Sequence, residues 1–93
     1  MRRPLVRTAA FVRSARRHLK KHPEALQSFH ATLTALEADA FDPRLRTHKL
    51  KGDLAGTWAC SGGYDTRVVV EFVQYAGAEA VLLLAVGTHD EVY

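Results

Sequence analysis

Residues Val81-Leu82-Leu83-Leu84-Ala85-Val86 are apolar at every position. A strand sends successive side chains to opposite faces, so a run that is apolar at both parities must be dry on both sides. Such a strand belongs inside a sheet, with something packed above it and below it. The whole chain has 93 residues, which allows one domain spanning 1–93 with a modest core.

The residues before this run supply neighbours for it. Val68-Val69-Val70-Glu71-Phe72-Val73 is β-branched and aromatic and reads as a strand. Ala76-Gly77-Ala78 permits a turn between the two. Thr57 to Cys60 reads as a further short strand, followed by a turn over Ser61-Gly62-Gly63-Tyr64-Asp65. Three consecutive strands joined so briefly form an antiparallel meander. On its middle strand, Val68, Val70 and Phe72 share one face, while Arg67, Val69, Glu71 and Val73 share the other.

The first half of the chain has a different period. Pro4 to Thr8 reads as a short strand. From Ala9 to Lys21, Phe11, Val12, Ala15 and Leu19 recur at helical spacing, with Arg13, Arg16, Arg17 and Lys20 on the other side. His22-Pro23-Glu24 breaks and restarts the helix. Leu26, Phe29, Leu33, Leu36 and Ala40 then step by three and four until Asp42-Pro43. The expected architecture is therefore β-α-α-β-β-β, an α+β domain with a helical hairpin packed on a small, mainly antiparallel curved sheet. His18, His22 and His30 are expected at helix surfaces or ends, and Trp58 and Cys60 in strand packing.

Charge is distributed unevenly. Residues 1–22 carry eight arginines and lysines and no acid, so a net charge of +3 leaves −5 for residues 23–93. A basic segment of this kind suits a polyanionic or acidic partner, although a solvated helix face carries the same pattern. Cys60 is the only cysteine, and Arg7 and Arg13 interrupt any apolar leader. Together these point to the cytoplasm, and no apolar run is long enough for a membrane. One cysteine and histidines without ligand spacing point to no metal, and no cofactor is expected.

Three segments carry chemistry: the connector with His48, Lys49 and Lys51; the strand entrance with Asp65 and Arg67; and the final stretch with His89 and Tyr93. Cleavage of RNA by its own 2′-hydroxyl needs a base, an acid and cations around the phosphorane. Histidine suits either proton role, and arginine grips two phosphate oxygens. Tyr93 can stack on an unpaired base. Each residue also has a plain structural use: a solvated loop histidine, an aspartate capping a turn, an Arg67–Glu71 pair, or a frayed end at His89 and Tyr93.

The run HKLKGDLAGTWACSGGYDTRVVVEF, followed by LLAVGTHDEVY, resembles the RelE/YafQ-type toxins of bacterial type II toxin–antitoxin systems, within the RelE/ParE superfamily. The resemblance rests on His48-x-Leu50-Lys51-Gly52, on Gly63-Tyr64 with Arg67, and on Gly87-Thr88-His89 with Tyr93. It implies a microbial-ribonuclease-like fold, endonucleolytic cleavage of mRNA in the ribosomal A site, and a cognate antitoxin in a hetero-oligomer. By this resemblance His48 and His89 match acting histidines, and Asp65 lies near an acting aspartate. Arg67 matches an arginine on the scissile phosphate, and Tyr93 a terminal aromatic on the substrate nucleotide. His89 is then the general acid and His48 the base, with the reverse assignment and Asp65 as base both open. Arg67 and Lys51 stabilise the phosphorane, and Lys49, Arg13, Arg16, Arg17 and Lys20 contact RNA. The family's further histidine before the turn has no counterpart in Ala59-Cys60-Ser61-Gly62. A relative that binds RNA or antitoxin without cutting, and an interaction domain for an acidic protein, remain as other functions for the same chain.

Overall fold

A computed structural model describes residues 1–63 and 65–93. In chain order the elements are β1 (Leu5–Arg7), α1 (Ala9–Lys21), α2 (Leu26–Ala38), β2 (His48–Lys49), β3 (Trp58–Ser61), β4 (Thr66–Tyr75), β5 (Ala78–Thr88) and α3 (His89–Val92). All five strands form one sheet in the order β1-β5-β4-β3-β2. β1 runs parallel to β5, and the other pairs are antiparallel. The α+β class and the β3-β4-β5 meander agree with the sequence reading. Two elements exceed it. His48 and Lys49 pair with Ala59 and Trp58 as an edge strand, and the residues after β5 form a helix instead of a frayed end. The Tyr64 part of the strand-entrance motif lies outside the described residues.

β5 is an interior strand, with β1 on one side and β4 on the other. Its register against β4 shifts at one point: Val69 faces Ala85, but Val70 faces Leu83. Leu84 is therefore the extra residue of a bulge, and Leu84 and Ala85 both turn to the same side. The main core, on the α1 and α2 side, takes Val81, Leu83 and Val86 from β5 and Val68 and Val70 from β4. The second, smaller core on the far side buries Leu50, Ala59 and Val69, with Leu84, Ala85 and Val92 half-buried against it, so this face of β5 is not fully dry as its apolar run suggests. At the other end of the pair, Ala76 and Gly77 both have positive φ, 52° and 81°. Both signs are needed by a two-residue turn that follows the strand twist.

α1 is tied to the sheet through polar groups as well as apolar ones. The Thr8 hydroxyl accepts from Phe11 N at 3.0 Å, capping the helix, and donates to the Leu83 carbonyl at 2.8 Å. Buried Ser14 accepts from Val86 N at 2.9 Å. His18, expected on the surface, is only 5% exposed, and its Nε2 lies 2.9 Å from the Thr66 hydroxyl. It falls three and four residues after Ala15 and Ser14, on the helix stripe that faces the sheet. Burial, and then the neighbouring His22, lower its pKa below the usual value.

α2 starts from a one-turn 3₁₀ segment, Pro23–Ala25, and buries Phe29, Thr32 and Leu36. Phe29 meets Phe11 of α1 with ring centroids 6.2 Å apart. The helix ends at Ala38, four residues earlier than Asp42-Pro43 suggests, because Asp39 leaves the helical conformation and caps the next turn by accepting from Phe41 N. Ala40 is fully buried but lies outside the helix. Leu26 of the same apolar stripe is 49% exposed.

The basic segment is less free than its composition implies. Arg3 is buried, bonded to Glu79 and placed over the Phe41 and Phe72 rings at 5.5 and 5.3 Å. Arg2 pairs with Glu37 at 3.0 Å. Arg13, Arg16, Arg17 and Lys20 remain exposed. No helix among the described residues is long and apolar enough to cross a membrane.

Replacing Ala76 by Asn should raise stability by about 1 kcal/mol in chemical denaturation, because Asn tolerates the left-handed backbone that Ala resists; an unchanged or lower midpoint would contradict the turn assignment. His18 is held neutral in the fold, so its contribution is complete above about pH 6.5 and is lost as the pH falls towards its lowered folded value. The wild type should lose stability on acidification through this range, and His18→Gln should flatten that slope.

Candidate active site

α3 has only four residues, so its position depends on its ends. Thr88 and Glu91 form a reciprocal capping box: Thr88 N donates to Glu91 Oε1 at 2.8 Å, and Glu91 N donates to the Thr88 hydroxyl at 3.3 Å. The Thr88 N–H holds the Glu91 carboxyl below its usual pKa. Asp65 Oδ1 accepts from His89 N at 3.1 Å, filling another free donor of the first turn. Gly87 lets the helix fold back on the sheet. A Cβ there would lie 3.2 Å from Glu91 Cβ and 3.5 Å from a Val92 methyl. Val92 then packs into the second core beside Leu84 and Ala85.

This fold-back brings the end of the chain to the edge strand. The Tyr93 hydroxyl is 2.9 Å from His48 Nε2, and the two rings stack at 5.6 Å with planes 24° apart. The His89 ring lies 4.6 Å from the Tyr93 ring. His48 Nδ1 is 2.8 Å from the Arg46 carbonyl oxygen. A carbonyl only accepts, so Nδ1 carries a proton, and in the neutral ring Nε2 accepts from the tyrosine. Arg67 stands on the same face, with Nη1 donating to the Thr66 carbonyl at 3.1 Å rather than to Glu71.

A shallow cleft of about 380 Å³ is lined by Arg46, His48, Ser61, Arg67, His89 and Tyr93. Among the described residues no carboxylate lines it. Two guanidinium groups, two imidazoles, a phenol and a hydroxyl make a surface of donors and cations, suited to an anion such as a phosphodiester. The cleft can therefore hold a phosphate, take up one proton and deliver another.

Four expected site residues, His48, Arg67, His89 and Tyr93, line this cleft. Asp65 is adjacent, but its carboxylate accepts from the His89 backbone instead of touching either imidazole ring. Lys49 lies outside it: Lys49 faces Trp58 across the ladder, and its ammonium sits 5.5 Å from the Trp58 ring. Lys51 is exposed, precedes a short 3₁₀ turn and does not line the cleft. Arg13, Arg16, Arg17 and Lys20 are on α1; Arg17, with Lys21, borders a hollow of about 260 Å³ that reaches Thr88 and Glu91. Arg46, Ser61 and Lys21 were not picked out from sequence. Ser61 pairs with Arg67, so period two places it on the same face once the register is known. Arg46 and Lys21 have no such signal. Cys60 is fully buried, and burial pushes its thiol pKa up, so it is not a nucleophile. Among the described residues no cluster of three or more metal-binding side chains is present.

No protein-family model and no curated protein matches the sequence. Solved structures do match. YafQ in the Escherichia coli DinJ–YafQ toxin–antitoxin complex superposes with a TM-score of 0.75 at 13% identity, over 100% of this chain and 99% of that one. The fold is that of the RelE/YafQ-type toxins. A YoeB/ParE toxin from Agrobacterium tumefaciens gives a TM-score of 0.70 at 16% identity, over 92% of this chain and 98% of that one. The Mycobacterium tuberculosis RelBE2 toxin–antitoxin complex gives 0.67 at 17% identity, over 96% and 100%. The toxin fold thus accounts for the full length of the chain, including α3 and the edge strand that build the cleft.

Gly87→Val should push α3 off the sheet. The expected result is loss of nuclear Overhauser contacts between the His48 and Tyr93 rings, with the β3-β4-β5 contacts intact. Retention of the ring contacts would contradict the role given to Gly87.

Proposed function

We propose that this chain is a toxin of a type II toxin–antitoxin system and an endoribonuclease of the mRNA interferase kind, cutting mRNA on the ribosome. The observation that carries the reading is the convergence of two imidazoles, two guanidiniums and a tyrosine on one cleft. In this reaction His48 Nε2 takes the 2′-hydroxyl proton, the 2′-hydroxyl replacing Tyr93 as its donor. The 2′-oxygen bonds to phosphorus while the bond to the 5′-oxygen breaks, and His89 protonates that leaving oxygen. The products are a 2′,3′-cyclic phosphate and a 5′-hydroxyl. The nucleophile comes from the RNA itself, so the scheme runs on acid–base groups without a metal. Arg67 and Arg46 neutralise the phosphorane, Asp65 positions His89 through its backbone, and Tyr93 stacks on a base.

Lys49, Lys51, Arg13, Arg16, Arg17 and Lys20 are proposed as contacts to the remaining RNA or to ribosomal RNA. The partner that silences the toxin is a cognate antitoxin, in a cytoplasmic hetero-oligomer. The fold match to YafQ within a toxin–antitoxin complex supports that partner. A non-cutting relative is the second reading. It is favoured by the Tyr93 hydroxyl on the base nitrogen and by the buried Ala59 and Cys60 where the family's further histidine is expected.

Induction of the wild type in bacteria should arrest growth and leave translated transcripts with 2′,3′-cyclic phosphate ends. His89→Ala should slow cleavage by about 10²–10⁴-fold and still bind the antitoxin. Intact transcripts, with or without arrest, would contradict the ribonuclease reading and favour the non-cutting relative.

A further inference from the structure

We infer that Arg46 is a positioning residue for His48, acting through its main chain. This rests on the ribonuclease reading above. Arg46 has φ 50° and ψ 40°, the left-handed conformation that side-chain-bearing residues rarely adopt. Both of its neighbours are anchored. Leu45 is 3% exposed in the main core, and the Thr47 hydroxyl donates to the Ala40 carbonyl. The turn before it is capped by Asp42, which accepts from Arg44 N at 2.9 Å and pairs with the Arg44 side chain at 2.7 Å. Arg46 itself is exposed, so its backbone conformation is imposed by the residues on either side.

The consequence is chemical. The left-handed turn aims the Arg46 carbonyl at His48 Nδ1, 2.8 Å away. The hydrogen bond made by one ring nitrogen decides where the proton of a neutral imidazole resides. With the proton fixed on Nδ1, Nε2 keeps its lone pair and faces the cleft, where the Tyr93 hydroxyl meets it at 2.9 Å. His48 is exposed, so without this contact its ring could turn or adopt the other tautomer, leaving no base towards the substrate. The Arg46 side chain lines the same cleft, so main chain and side chain have separate parts that substitution can separate.

The experiment compares Arg46→Gly, Arg46→Asn and Arg46→Val. Glycine and asparagine accept the left-handed backbone, whereas β-branched valine resists it. All three lose the guanidinium. Histidine ¹⁵N spectra of the RNA-free protein in alkaline buffer report the tautomer, and steady-state cleavage of ribosome-bound mRNA reports kcat and KM. Wild type, Arg46→Gly and Arg46→Asn should carry the His48 proton on Nδ1, and the two variants should cut more slowly than wild type by the same factor because both lose the guanidinium. Arg46→Val should lose that preference and cut about 10²-fold more slowly than Arg46→Gly at saturation, with an unchanged β-sheet spectrum. A wild type with the proton on Nε2, or a valine variant matching the glycine variant in tautomer and kcat, would overturn the inference. A wild type with the proton on Nδ1 that cuts no mRNA supports the positioning and removes the ribonuclease reading instead.

Discussion

Strand β5 is apolar on both faces, and the rest of the molecule is arranged to bury one of them and half-cover the other. One face is met by α1, whose Thr8, Ser14 and Phe11 lock onto Leu83 and Val86. The other receives Leu84 and Ala85 together because of the bulge, and needs a second cover. Leu50 and Val92 provide it, the first from the segment after β2 and the second from α3. Burying apolar area of this kind contributes about 25 cal/mol per Å², and that contribution holds a four-residue helix that would not persist alone.

The cleft follows from that cover. Folding α3 back to bury Val92 brings His89 and Tyr93 over the edge strand that carries His48. A structural need of the hydrophobic core thereby joins residues that are 45 positions apart in the chain. The same closure leaves the cleft exposed and lined by no described carboxylate, with Asp90 Oδ1 standing 3.5 Å from His89 Nδ1. Asp65 sits behind α3 and takes a backbone donor, which places its charge beside the helix rather than between the imidazoles. Function in this reading is therefore sensitive to packing residues such as Gly87 that never touch substrate.

Much of the fold was legible because its periods are strong. The apolar run from Val81 to Val86 and the alternation from Arg67 to Val73 placed the interior strands and assigned Arg67 to the face away from α1 and α2. α1 was readable from Ala9 to Lys21 for the same reason. What the sequence hid depends on tertiary context. A two-residue edge strand has no period. His18 looks like any helix histidine until Thr66 arrives opposite it. Ala40 continues the α2 stripe in register although the helix has already ended. In the site, His48, Arg67, His89 and Tyr93 were recognisable by residue type and resemblance. Arg46 was not, because the left-handed conformation that matters is imposed by Leu45 and Thr47 and leaves no mark on its own identity. Lys49 and Lys51 were grouped with His48 by proximity in sequence, and the pleat of β2 sends Lys49 to the other face.

The central claim is that one phosphate sits between the middle and the end of this chain. A crystal structure with a short RNA blocked at the scissile 2′-oxygen tests it most directly. The account predicts the phosphate within hydrogen-bonding distance of Arg67, flanked by the His48 and His89 rings, with Tyr93 against a base. RNA bound along α1 with the cleft left open, or a scissile phosphate out of reach of both imidazoles, would contradict it.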